Sequence, residues 1–117
     1  MAEASCHCGA VRIQTPKPEQ LAECNCSLCR RTGGRWAYFT PDEVSFRAGE
    51  GTTVGYVQGD RTLATHHCPG CGCTTHWVGL GDFSDRVAVN ARLMSASDLE
   101  GVRVRRFDGA DTWTFLD

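Results

Sequence analysis

A chain of 117 residues has room for one domain and a modest core, and its 13 glycines and 8 cysteines describe a turn-rich fold that leans on metal for part of its stability. A formal charge of −2, from 12 basic and 14 acidic residues, argues against nucleic acid as a partner, and no stretch approaches the ~18 uninterrupted apolar residues of a membrane span. Glu3 and the lack of an apolar run before Cys6 are unlike an export signal, so the expected compartment is the cytoplasm, where clustered cysteines serve metal or catalysis rather than disulfides.

Taken in order, Cys6-His7-Cys8-Gly9 leads into residues 10–14, whose alternation of apolar and polar side chains reads as a strand with one buried face, ended by Pro16 and Pro18. Residues 21–24 read as a short strand delivering Cys24-Asn25-Cys26-Ser27-Leu28-Cys29, after which residues 27–31 form one helical turn stopped by Gly33-Gly34. Residues 36–40 and 44–47 are strands rich in aromatic and β-branched residues, separated by Pro41-Asp42. Residues 52–58 and 61–67 flank Gly59-Asp60 as a hairpin, and its second strand runs into Cys68-Pro69-Gly70-Cys71-Gly72-Cys73. Residues 74–78 leave that knuckle as another strand. Residues 86–93 read as a central strand with Val87 and Val89 on one face, residues 95–99 as a helical turn with a serine cap, and residues 102–105 as a last strand closed by Asp108-Gly109. With no repeat or linker, residues 1–117 are expected to form a single domain, mainly β, with antiparallel sheets and at most short helical turns.

The cysteine spacing carries the chemistry. Cys68-Pro-Gly-Cys71-Gly is a knuckle that supplies two thiolates, and Cys6 with Cys8, which point the same way in extended backbone, is its natural partner pair. Together they give the four ligands of a closed tetrahedral zinc site. The competing reading of Cys68 and Cys71 is a redox pair, which normally needs a helix opening at the motif. Cys24, Cys26 and Cys29 supply three thiolates and leave one position free, the arrangement that separates catalytic from structural zinc. The alternative is a purely structural second site completed by Cys73 or a histidine, although Cys73 also reads as a packing residue and the histidines as outer residues. Arg30, Arg31 and Arg35 beside the trio either form a solvated face or grip the carboxylates of a small ligand.

In these motifs the chain resembles the glutathione-dependent formaldehyde-activating enzymes, a family that also includes centromere protein V-like domains. The matching pieces are Cys6-His-Cys-Gly-Ala-Val, Cys24-Asn-Cys-Ser-Leu-Cys-Arg-Arg-Thr-Gly-Gly, His67-Cys-Pro-Gly-Cys-Gly and Val89-Asn-Ala-Arg-Leu, which span nearly the whole chain. The resemblance implies a zinc-stabilised, Mss4-like β fold with two zinc ions, a structural one at Cys6, Cys8, Cys68 and Cys71 and an open one at Cys24, Cys26 and Cys29. It also implies addition of glutathione to formaldehyde, a carbon-sulfur lyase activity; combined with the reading of the residues, this makes Cys24, Cys26 and Cys29 the expected catalytic residues and Arg30, Arg31 and Arg35 the expected substrate-binding ones. A zinc-stabilised module that holds glutathione or a protein partner without chemistry is the second expectation.

Overall fold

Alternating side chains and β-branched residues make strands the dominant regular structure of this chain, and the computed structural model, which describes residues 1–117, has ten. They are β1 (Ala2–Ser5), β2 (Arg12–Thr15), β3 (Gln20–Cys24), β4 (Trp36–Phe39), β5 (Ser45–Ala48), β6 (Val54–Val57), β7 (Leu63–His67), β8 (Thr74–Gly79), β9 (Val87–Asn90) and β10 (Arg103–Phe107). The one α-helix, α1, covers Ser27–Thr32, and 3-10 turns lie at Pro41–Glu43, Gly81–Phe83 and Ala91–Leu93. No helix is long and apolar enough to cross a membrane. The mainly β fold class with short helical turns is borne out.

The strands form a three-stranded sheet, β1-β2-β5, and a seven-stranded sheet, β10-β3-β4-β9-β8-β7-β6. One core joins them: Ala2, Ala4, Val11 and Ile13 from the small sheet and its turn pack with Leu21, Ala37, Val87 and Val89 from the large one. β9 is the middle strand of seven and is buried along its whole length, so both of its faces are covered rather than only the Val87–Val89 side. The opposite face of the large sheet carries Cys24, Trp36, Tyr38 and Trp77, because Trp36 pairs with Ala22, Tyr38 with Ala88, and Ala88 with Trp77. The site that begins at Cys24 therefore lies on the side of the sheet away from the core.

Four departures from the sequence reading have local causes. β1 is a strand although Ala and Glu are poor strand formers; burial of Ala2 and Ala4 against the core overrides propensity. The strand expected over residues 86–93 stops at Asn90, whose side-chain oxygen accepts from the Arg92 amide at 3.1 Å and turns the chain into a 3-10 turn. The hairpin about Gly59-Asp60 forms, but its ladder ends at Val57 and Ala64, because the Asp60 carboxylate takes the Thr62 amide and hydroxyl at 3.3 and 2.9 Å. The region expected to be a helical turn over residues 95–99 is a turn capped by Ser95, whose hydroxyl accepts from the Asp98 amide. One pairing is parallel where antiparallel sheets were expected: β10 runs alongside β3 and sets Phe107 opposite Cys24.

The two sheets also meet at a pair of histidines. His66 and His76 face each other across β7 and β8 with rings stacked at 4.7 Å, and Phe46 of β5 abuts His76 edge-on at 5.2 Å. Burial and the neighbouring His66 push the His76 imidazole down to about 4. The unfolded chain then takes up a proton near pH 6.5 that the folded chain refuses until about pH 4, so stability falls as pH drops through that window. Between pH 7 and pH 5, wild-type protein is expected to lose on the order of 2 kcal/mol more unfolding free energy than His76→Gln. Urea melts at the two pH values measure this, and equal losses in both proteins would contradict it.

Candidate metal centre

The four-thiol cluster is assembled from both ends of the core. Cys6 leaves β1 and takes its backbone partner from Val11, whose own amide donates to Cys6 Sγ at 3.2 Å, so the loop between β1 and β2 wraps its first sulfur. Cys68 and Cys71 come from the knuckle after β7, closed by Gly72 N–H on the Cys68 carbonyl at 2.8 Å. Cys6 and Cys8 sulfurs lie 3.7 Å apart, as do those of Cys8 and Cys68, and all four fall within 4.8 Å of one another. Ligands about 2.3 Å from a central ion at tetrahedral angles have edges of about 3.8 Å, so this spacing fits a zinc site made of four thiolates. It is far longer than a disulfide, and all eight cysteines are free.

Cys24, Cys26 and Cys29 form the second cluster, again within 4.8 Å of one another, and no fourth Cys, His, Asp or Glu joins them. Local hydrogen bonding explains the convergence. Cys24 ends β3; Cys26 is the N-cap of α1, its sulfur accepting from the Cys29 amide at 3.3 Å in place of the usual capping oxygen. Cys29 then sits one turn on, and Gly33 ends the helix with a left-handed φ of 69° that lets its amide reach the Cys29 carbonyl at 2.9 Å. Cys73 belongs to neither cluster and packs against the core, and the histidines stand outside both.

Within each cluster the thiols polarise one another. The hydrogen bond from the Cys29 thiol outweighs burial and, with the amides of Cys26 and Gly109, holds Cys24 down to about 6, while Cys29 is pushed far up by sharing that proton. In the other cluster the amides of Cys73 and Cys8 hold Cys71 down to about 5. Thiols this close cannot all ionise unless a cation cancels their charge, and a zinc ion bound by Cys6, Cys8, Cys68 and Cys71, or by Cys24, Cys26 and Cys29, is suited to do so. Tyr38, on the same face as Cys24, is pushed up to about 12 by burial and by the charge of the three thiols, so it remains a phenol at neutral pH.

The three arginines have separate fates. Arg35 Nε donates to Glu23 Oε1, an oxygen that Arg92 Nη2 also approaches at 3.6 Å. Arg31 folds back on the Ser27 carbonyl of its own helix at 2.8 Å, and no side-chain hydrogen bond or ion pair holds Arg30. Glu23 and Arg92 are site residues that the sequence reading did not single out; Arg92 Nε also donates to the Gly33 carbonyl and so ties the end of α1 to the turn after β9. Asn25 is another, and its place between two cysteines was the available signal. A depression of about 340 Å³ between α1 and β6 is lined by Ser27, Leu28, Arg31, Tyr56 and Gln58. A larger hollow of about 390 Å³ lies at the loop before β3, lined in part by Lys17, Glu19 and Tyr38. It contains no thiol and lacks the convergent groups of the trio.

The family model described as glutathione-dependent formaldehyde-activating enzyme matches residues 1–104. A protein of Halomonas elongata, provisionally named a glutathione-dependent formaldehyde-activating enzyme, is 48% identical over 86 residues, covering 65% of this chain and 54% of its own. The chain thus spans about half the length of that relative. A crystal structure of a Rhodobacter sphaeroides protein superposes with a TM-score of 0.71 at 28% identity, covering 87% of this chain and 98% of that one.

A closed cluster that ties residue 6 to residue 71 should hold the fold together, whereas a trio contained in six residues should not. In zinc-loaded protein, Cys68→Ala is expected to lower the thermal midpoint by at least about 10 °C and Cys26→Ala by less than about 4 °C. Equal losses in a calorimetric comparison would contradict the assignment of roles.

Proposed function

The chain belongs to the glutathione-dependent formaldehyde-activating enzyme family, and on that premise we propose that the site at Cys24, Cys26 and Cys29 joins glutathione to a small aldehyde such as formaldehyde. The reaction is of the carbon-sulfur lyase type: a bond forms between the thiol sulfur and the carbonyl carbon, and the thiol proton ends on the carbonyl oxygen. No oxidant or reductant is needed. The observation that carries the reading is the contrast between the two clusters, four thiols closed on themselves and three with no fourth protein ligand.

Zinc held by Cys24, Cys26 and Cys29 would supply Lewis acidity toward a thiol sulfur or a carbonyl oxygen. The side chains around it do the rest. Arg30, unpaired in the last turn of α1, is the arginine best able to bind a glutathione carboxylate, with Arg31 and Arg35 adding positive charge nearby. The ion pairs of Glu23 with Arg35 and Arg92 hold β3 and the turn after α1 in fixed relation, which positions Cys24 against Cys29. Tyr38, protonated at neutral pH, keeps an O–H donor on the same face of the sheet. Eight free thiols fit a reducing compartment such as the cytoplasm. Residues 1–117 act in this reading as one zinc-binding domain.

Exchange spectroscopy by nuclear magnetic resonance, following formaldehyde and its glutathione adduct, tests the reading. Zinc-replete protein should accelerate exchange, and Cys26→Ala should reduce that acceleration by about 100-fold or more. Saturable glutathione binding without acceleration would instead establish a binding module that does no chemistry. A second expectation concerns the arginines: Arg30→Ala raises KM for glutathione about tenfold with kcat little changed, while Arg31→Ala has less than about a twofold effect. Equal effects of the two substitutions would remove Arg30 from the binding role.

A further inference from the structure

The family match ends at residue 104, yet the chain beyond it reaches the three-thiol site. Parallel pairing of β10 with β3 carries Phe107 to the side of Cys24, and the Asn25 amide donates to the Phe107 carbonyl at 3.2 Å. From there residues 108–114 form a closed turn, with Asp108 N–H on the Thr114 carbonyl at 2.8 Å and Trp113 N–H on the Asp108 carbonyl at 2.7 Å. Asn25, lying between Cys24 and Cys26, clamps this turn from both sides. Its side-chain amide donates to Asp108 Oδ1 at 3.0 Å, and its oxygen accepts from the Ala110 amide at 3.0 Å.

Two residues of the turn have no explanation in folding alone. Gly109 does not have a positive φ, so its backbone conformation is open to any residue. What excludes a side chain is space: a Cβ there would lie 2.4 Å from Cys24 Sγ and 3.5 Å from both Cys26 Cβ and Trp113 Cζ3. The glycine backbone is thus pressed against the sulfur, with the edge of the Trp113 ring bordering the same space. Trp113 is a bulky residue at φ 61°, a left-handed conformation that L side chains rarely adopt, and it is 70% exposed. Phe107 meets its ring edge-on at 5.2 Å and fixes the indole beside the site rather than in the core.

We infer that the turn over residues 108–114 is the second wall of the Cys24–Cys26–Cys29 site, with Gly109 a positioning residue that sets the wall against the Cys24 sulfur and Trp113 a residue that determines which thiols bind. The role of Trp113 rests on the reading that this site takes a thiol; the placement of the wall by Gly109 does not. An exposed indole beside the sulfurs offers a surface against which the planar amides and methylene groups of a peptide thiol can lie, and offers a compact thiol almost nothing. The wall therefore favours peptide thiols such as glutathione over small ones such as 2-mercaptoethanol.

Titration calorimetry on zinc-loaded protein, with glutathione and with 2-mercaptoethanol, tests the selectivity. Trp113→Ala should weaken glutathione about tenfold and 2-mercaptoethanol less than twofold, and Trp113→Phe should restore most of the glutathione affinity. If wild-type protein binds glutathione and Trp113→Ala binds it equally well, Trp113 has no such role; if wild-type protein binds neither thiol, the functional reading itself fails and the selectivity falls with it. Zinc release to 4-(2-pyridylazo)resorcinol, with no thiol ligand present, decides the wall independently. Gly109→Ala should speed release of the more labile zinc about tenfold and leave the tighter one unchanged. Asn25→Ala, which removes the clamp without adding bulk, should act in the same direction. Unchanged release in both variants would overturn the wall.

Discussion

Four cysteine sulfurs held within 4.8 Å of one another can all ionise only if a cation cancels their charge, and the convergence of these four residues organises the molecule. Cys6 and Cys8 come from the loop after the first strand, Cys68 and Cys71 from the knuckle after the seventh, and sulfurs 3.7 Å apart bring those distant segments to one point. A common ion there would close a long stretch of chain and remove much of the freedom of the unfolded state. The buried residues of the core, Ala4, Val11, Ile13 and Val89 among them, are mostly small or β-branched, and a metal at the four thiols would add to that core in holding the two sheets together.

The second cluster follows the opposite logic. Its three sulfurs lie within six residues, so gathering them constrains little chain, and their geometry is set locally by the end of a strand, an N-cap and the first turn of a short helix. What is not local is the setting. Glu23, Arg35 and Arg92 tie the helix to the turn after the central strand, and Asn25 ties the motif to the turn that follows the only parallel strand. These neighbours, rather than a fourth ligand, would hold the site in shape if a metal bound there with one side open.

The sequence made the cysteine division legible because ligand spacing is a local property: Cys-x-Cys, Cys-x-Cys-x-x-Cys and Cys-Pro-Gly-Cys each declare their geometry in a few residues. Most strands were legible for the same reason, through alternation and through turn dipeptides such as Gly59-Asp60. Three things were not. The strand Ala2–Ser5 depends on burial that its alanines do not advertise, and the end of the central strand depends on one asparagine side chain that competes with the ladder. The parallel partnership of Arg103–Phe107 with Gln20–Cys24 joins segments about eighty residues apart, and no local pattern announces it. Since that pairing carries Gly109 and Trp113 to the thiols, the second side of the site was hidden with it, and the fates of Arg31 and Arg35 were equally invisible, being decided by the partners they found.

Zinc-edge X-ray absorption on protein loaded with two zinc ions addresses the division of seven sulfurs most directly. The account predicts an average of about 3.5 sulfur ligands per zinc near 2.3 Å, with a lighter atom completing half of the sites, and a shift of that lighter shell toward sulfur when glutathione is added. Four sulfurs per zinc before any thiol is added, or loading that stops at one zinc per chain, would contradict it.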